Sequence, residues 1–524
     1  MQKIEIYDTT LRDGTQGEGM SLSVADKVRI AKKLDDFGVH YIEGGWPGSN
    51  PKDREFFEVM KTQKLKNAKL SAFGSTHLAK NTPMTDDNLR ELVNSGVNVA
   101  TIFGKSWTVH VSDVLKISHE RNLEIIKDSV EFLKKNIETV FYDAEHFFDG
   151  YKNNPEYALL TLRAAKRGGA DCLVLCDTNG GSLPEEISRI VTEVKKHFPK
   201  SLLGIHTHND SELAIANTIA AVLSGAIHIQ GTLNGIGERC GNANLCSLIP
   251  ILQLKLGIEC VPVENLAQLQ SLSCYFMELA NLPSNHFQAY IGRSAFAHKG
   301  GVHASAVAKN PHTYEHIKPE FVGNKRRILV SDLAGRASVV MKAKELGIEL
   351  DPKNPVVASA LKEMKELENV GFQFESAEAS FELILVEALG KKTKFFELIS
   401  RRVIDERKAG EENPQVEATV KIRVGEKLEE TFASGDGPVN ALDKALRKAL
   451  EKYYPVLKEM KLLDYKVRVL PGRAGTAALV RVLIESANGE VGRWHTMGVS
   501  YDVIEASWQA LTDSVNYKLY KAKK

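Results

Sequence analysis

Two histidines one residue apart, His206 and His208 in the segment HTHND, are the strongest chemical signal in the chain. Residues i and i+2 of an extended strand project to the same face, so both imidazoles can approach one ion, with Asp210 beside them. A lone histidine is more often structural, but a pair at a strand end points to metal ligation. The segment DTTLRDG supplies Asp13, a hard anionic ligand, next to Arg12, a cation that does not deprotonate. The plain structural reading of Arg12 is an ion pair with Asp13. GIGERCGNAN adds Asn242, whose amide oxygen can face the same ion where glycines let the backbone come close. That segment also reads as a tight turn stiffened by Glu238 and Arg239, with Cys240 a small buried thiol, an acid or nucleophile being its other reading. Together Asp13, His206, His208 and Asn242 predict a divalent-metal site, for Mg²⁺, Mn²⁺ or Zn²⁺, with positions left open for a substrate.

Such a site needs distant segments to converge. Up to about residue 245, eight short runs rich in apolar and β-branched residues alternate with segments of helical period. They are IEIYDTT, HYIEGG, LSAFGST, VATIFG, TVFYDAEHF, CLVLCDT, LLGIHTHND and IHIQGTLNGIG. Eight alternations predict an α/β fold of the closed (β/α)8 TIM-barrel type rather than an open sheet. No strand-to-helix turn carries the G-x-G-x-x-G of a dinucleotide fold. Each run starts apolar and ends polar, which brings Asp13, Glu145, Thr178, His206, His208 and Asn242 to the carboxyl-end face, where barrels keep their active sites.

The 524 residues exceed one ordinary core. The expected division is a catalytic barrel over 1–270, helical accessory subdomains over 271–390 and a C-terminal α+β regulatory domain over 391–524. The accessory part carries a long loop, RSAFAHKGGVHASAVAKNPHTYEHIKPEFVG, of the kind that serves a site, here that of a neighbouring subunit. The last part reads as an internal repeat of two βββα units, ending in GPVNALDKALRKALEKY and DVIEASWQALTDSVNYKLY. Two such halves can enclose a small-ligand pocket, and dimerisation alone is an equal reading. A net charge of +1 with 43% hydrophobic and 26% charged residues is ordinary for a globular protein and gives no sign of a nucleic-acid partner. The N-terminus shows no basic leader with an apolar core, and no stretch is apolar enough to cross a bilayer, so no membrane partner and a cytoplasmic protein are expected. Six cysteines without a C-x-x-C pair predict reduced thiols, not disulfides or structural zinc.

Jointly, DTTLRDGTQ, HTHND, GIGERCGNAN and HKGGVHASA resemble the motif set of the isopropylmalate, homocitrate and citramalate synthases, over essentially the whole chain. YDTTLRDGTQGEGM and GGWPGSNPKD look most like the citramalate branch, since the isopropylmalate branch typically has an acidic residue at the Thr15 position and lacks a GWPGSNP segment. The resemblance implies a Claisen-type condensation of acetyl-CoA with a 2-oxo acid, followed by thioester hydrolysis. It assigns Arg12 to the developing alkoxide, Glu145 with His303 to proton removal from the acetyl methyl, and Tyr314 to enol stabilisation or proton return. Asp13 serves substrate as well as metal, and Thr178 is placed to bind the substrate carboxylate, an N-cap being its plain reading. Phe73, Phe103 and Tyr142 at strand ends would leave room for a methyl only, which favours pyruvate over 2-oxoisovalerate. A homodimer is expected because the accessory loop would complete a partner's site, and the resemblance implies feedback by an amino acid, isoleucine, with GDGPVN meeting its carboxylate and TAALVRVL its side chain. An isopropylmalate synthase, a lyase on the same barrel and an effector sensor without activity are the rival readings.

Overall fold

The computed structural model describes residues 4–329, 335–345, 347–391, 394–407, 409, 414–470, 478–489 and 491–523. It divides into two units, one running to Phe296 and including Ile317–Lys325, the other made of Ala297–His316 and the chain from Arg326.

In the first unit all eight expected runs form strands: β1 (Glu5–Asp8), β2 (Tyr41–Gly45), β3 (Lys69–Ser75), β4 (Val99–Lys105), β5 (Thr139–Glu145), β6 (Cys172–Asp177), β7 (Leu202–Thr207) and β8 (His228–Gly231). They pair in sequential order as a closed parallel barrel, β1 returning to β8 with Tyr7 opposite Gln230. Helices lie between successive strands and end where the sequence says they should. Helix Val24–Phe37, for instance, starts at a Ser23 capping box and stops at Gly38, whose φ of 94° only glycine adopts freely.

Strand alternation sorts the side chains into two layers. Ile6, Ile42, Ala72, Ala100, Val140, Leu173 and Leu203 point outward and form the large core under the helices. The intervening residues fill the barrel. Tyr7, Tyr41, Phe141 and His228 cluster at its base, with ring centroids 4.7–6.0 Å apart. Above them the Tyr7 hydroxyl meets Glu43 (2.9 Å), Ser71 (3.0 Å) and Thr101 (2.7 Å), a buried polar layer with its hydrogen bonds satisfied.

In the second unit β9 (Ala297–His298) pairs with β10 (Arg327–Ile328). Helices Pro355–Asn369 and Glu378–Ala388 share a core of Val357, Met364, Phe374, Phe381 and Leu385. The expected repeat follows. Strands β11 (Glu397–Glu406), β12 (Gln415–Val424) and β13 (Lys427–Gly435) form one antiparallel sheet, followed by helix Pro438–Leu450. Strands β14 (Lys461–Val469), β15 (Val480–Asn488) and β16 (Gly492–Ser500) form the second, followed by helix Val503–Lys523. Val416, Ala418, Val420 and Ile422 alternate along β12 and share a buried cluster with Ala441, Leu442, Ala445 and Leu446 of the first of these helices. All six cysteines are free, and among the described residues no helix is long and apolar enough to cross a membrane. Cys240 departs from expectation: its loop holds the thiol at the surface, exposed.

Candidate active site

The mouth of the barrel brings Arg12, Asp13, Phe73, Phe103, Glu145, Thr178, His206 and His208 around one cavity of about 180 Å³. His206 lies near the end of β7, and His208, just beyond it, bridges to Asn242. His206 Nε2 is 3.2 Å from His208 Nε2 and 3.3 Å from an Asp13 carboxylate oxygen, and one ligand atom of each residue lies within 4.8 Å of the others. His206 Nδ1 meets Gln230 Oε1 at 2.8 Å, and Gln230 donates from Nε2 to Asp143 at 3.0 Å. An amide oxygen only accepts, so Nδ1 carries the proton and Nε2 can turn a lone pair toward the cluster. Burial, with His206 beside it, pushes His208 down to about 3, so its ring is neutral, the form that ligates. Burial opposes the Asp13 carboxylate, yet the Arg12 guanidinium beside it favours the charged form, and the group is held well below the usual carboxylate range. One anionic oxygen and two converging imidazoles fit a divalent ion.

Asn242 reaches the same cluster through Nδ2, which donates to Asp13 at 2.9 Å, while its Oδ1 is buried without a hydrogen-bond partner. A half-turn about χ2 exchanges the two ends and presents the oxygen to the ligand atoms. Gly237 permits the close packing here, since a Cβ there would stand 1.8 Å from Asn242 Oδ1.

Arg12 donates from Nε to Glu43 at 2.6 Å, lies 3.6 Å over the Phe73 ring and has Nη1 3.5 Å from Asp13, so the pairing with Asp13 is the lesser contact. Burial raises Glu43 above its ordinary range against the pull of Arg12, and burial likewise pushes Asp143 up to about 7. Glu145 is ion-paired with Lys105 of the adjacent strand. Thr178 caps no helix; its hydroxyl accepts from the His146 backbone N–H at 2.8 Å.

Tyr142 is a correction. It faces away from the cavity into the core between strands and helices, with its hydroxyl buried and unpartnered. Side chains alternate along β5, so Asp143 and Glu145 point inward and Tyr142 cannot. Residues at the site that the sequence did not single out include Asp143, Glu43, Gln230 and Trp46. Each except Trp46 is a polar residue within an apolar strand, and counting by twos from Glu145 would have found Asp143.

His303 and Tyr314 belong to the second unit, where their rings stack with centroids 4.2 Å apart. That unit also has a cavity of about 890 Å³ at the start of helix Pro438–Leu450, bordered by Gly437, Pro438, Asn440, Leu462 and Tyr465. The expected GDGPVN segment contributes to it. TAALVRVL does not: Thr476 and Ala477 lie outside the described residues, none of Ala478–Leu483 is in the lining, and Met460 and Leu462 supply the apolar side instead.

The HMGL-like family matches residues 3–273, a homocitrate synthase post-HMGL domain-like family residues 290–371, and the LeuA allosteric (dimerisation) domain residues 375–519. The chain is 59% identical to an (R)-citramalate synthase of Geobacter sulfurreducens, over 100% of this chain and 98% of that protein. It is 56% identical to the (R)-citramalate synthase of Aquifex aeolicus, over 99% and 98%. A 2-isopropylmalate synthase of Methanocaldococcus jannaschii, aligned over 100% and 96%, is 31% identical. The barrel, then, belongs to the HMGL-like family, and the chain from end to end belongs to the (R)-citramalate synthases.

Proposed function

We propose that the protein condenses acetyl-CoA with pyruvate and hydrolyses the thioester, giving (R)-citramalate and CoA. The observation that carries this reading is the end-to-end identity of 59% with an (R)-citramalate synthase, against 31% with a 2-isopropylmalate synthase. The cavity chemistry supports it. Asp13, His206 and His208 would hold a divalent ion, Mg²⁺, Mn²⁺ or Zn²⁺, with Asn242 as a further ligand, and that ion would supply polarisation of the ketone of the oxo acid. Arg12, fixed through Nε by Glu43, stabilises the oxygen that gains charge as the new carbon–carbon bond forms. Thr178 binds the oxo acid's carboxylate. Glu145, with His303, removes the methyl proton of acetyl-CoA, and Tyr314 returns a proton or stabilises the enol. The carbanion adds to the ketone carbon, and water then cleaves the thioester, releasing free thiol. Phe73 and Phe103 narrow the acceptor pocket.

The LeuA domain serves as a homodimer contact and effector module. The cavity at Gly437–Asn440 takes isoleucine, with helix N-terminal N–H groups toward its carboxylate and Leu462 toward its side chain. The enzyme acts in the cytoplasm. Thiol release from acetyl-CoA with Mg²⁺ or Mn²⁺ tests the reading, comparing pyruvate, 2-oxoisovalerate, 2-oxoglutarate and no acceptor. Release dependent on pyruvate is expected; preference for another acid moves the substrate, and no release with any acid removes the condensation.

A further inference from the structure

The segment GGWPGSNP, unused by the chemistry above, contributes Trp46 to the lining of the barrel cavity. Gly45 ends β2, and a Cβ there would stand 2.4 Å from the carboxylate carbon of Asp53, which accepts from the Trp46 backbone N–H at 2.8 Å. The loop is thereby tied to helix Pro51–Met60, and Trp46 joins the cavity lining. Its indole N–H donates to Asn88 Oδ1 at 2.6 Å, and Asn88 Nδ2 donates to the Ser75 carbonyl at the end of β3, 2.7 Å away. The indole stands edge-on to Phe73 (5.7 Å, 86°) and to Phe103 (5.6 Å, 85°), which stack on each other at 5.6 Å and 22°. The Arg12 guanidinium lies 3.6 Å over Phe73, and Lys105 Nζ stands 5.3 Å from the Phe103 ring centre. Neither phenyl ring can therefore yield to a larger ligand without disturbing a cation at the site.

We propose that Trp46, oriented by Asn88, is a specificity-determining residue that limits the acceptor's side chain to a methyl group. This rests on the reading of the cavity as a site for pyruvate. An apolar pocket discriminates one methylene by only about 10- to 200-fold, and it does so by excluding volume. A ring held at both its backbone and its N–H excludes volume better than one free to turn.

Full-length Trp46→Ala, Trp46→Phe and Asn88→Ala are to be assayed for thiol release with pyruvate, 2-oxobutanoate and 2-oxoisovalerate, resolving kcat from KM. Trp46→Ala should raise kcat/KM for 2-oxoisovalerate relative to pyruvate by about 10-fold or more, mainly through KM. Trp46→Phe and Asn88→Ala should shift the ratio the same way by less, and they carry the test if Trp46→Ala is isolated unfolded. Pyruvate added with Mg²⁺ should change the tryptophan emission of the wild type and not that of Trp46→Phe. Unchanged acceptor ratios in the folded variants, or the same emission change in both proteins, overturn the proposal while leaving pyruvate-dependent turnover of the wild type intact. Wild-type protein that releases no thiol with pyruvate sinks the underlying reading, and the proposal with it.

Discussion

At the mouth of the barrel, Asp13, Glu43, Asp143 and His206 are buried and, with the part-buried Arg12, bound to one another or to neighbours. In the C-terminal repeat the pairs Arg423–Glu397 and Lys466–Asp464 lie at the surface, and the apolar Leu398, Leu428, Phe432, Val467 and Val469 are left uncovered. Screened surface pairs contribute about 0–1 kcal/mol, whereas desolvated charges act at full strength on whatever enters between them. The barrel mouth thus gathers charges that would act on developing charge, whereas the repeat presents apolar surface, which suits the association and effector binding proposed above.

Breaking the barrel side should have the largest effect. Asp13→Ala or His206→Ala should abolish turnover and lose divalent metal on dialysis, measured by thiol release and metal content; full activity in either removes the metal role. On the other side, Leu462→Arg should fill the cavity at Gly437–Asn440 and end isoleucine inhibition with kcat retained. Inhibition that persists places the effector elsewhere. Gln230→Leu leaves His206 Nδ1 without its acceptor and should weaken metal binding by about 10- to 100-fold, read by titration. An unchanged affinity would show that the ring needs no such orientation.

The smallest effect concerns Asp8, which accepts from the Thr10 N–H and hydroxyl and is pushed up to about 7 by burial. Between about pH 4, where the unfolded carboxyl titrates, and about pH 7, the folded state binds more protons. Stability should therefore fall as pH rises through that window, by at most about 1.4 kcal/mol per pH unit. Asp8→Asn should flatten that part of the denaturation profile, and an unaltered slope assigns the proton elsewhere.

Much of this was legible beforehand, for identifiable reasons. Eight strand runs and two βββα units follow from local periodicity, since alternation of period two and helical spacing are properties of neighbouring residues. His206 and His208 announce themselves because i and i+2 share a strand face in any fold. Tyr142 is out of step with Glu145 along β5, so strand alternation turns it into the outer core although its bulk suits a pocket wall. For Glu43, Gln230 and Trp46 the neighbouring residues do not tell the role, because their partners Arg12, His206 and Asn88 lie 31, 24 and 42 residues away.

The sequence by itself determined which segments are strands, which ends are polar and which side chains can ligate or carry charge, because those are matters of residue type and short-range spacing. Only the tertiary structure decided that Gln230 sets the tautomer of His206, and that Trp46 closes on Phe73 and Phe103. Closing the barrel through β1 and β8 juxtaposes residues far apart in the chain, and burial then raises or lowers their proton affinities by amounts that no local pattern encodes.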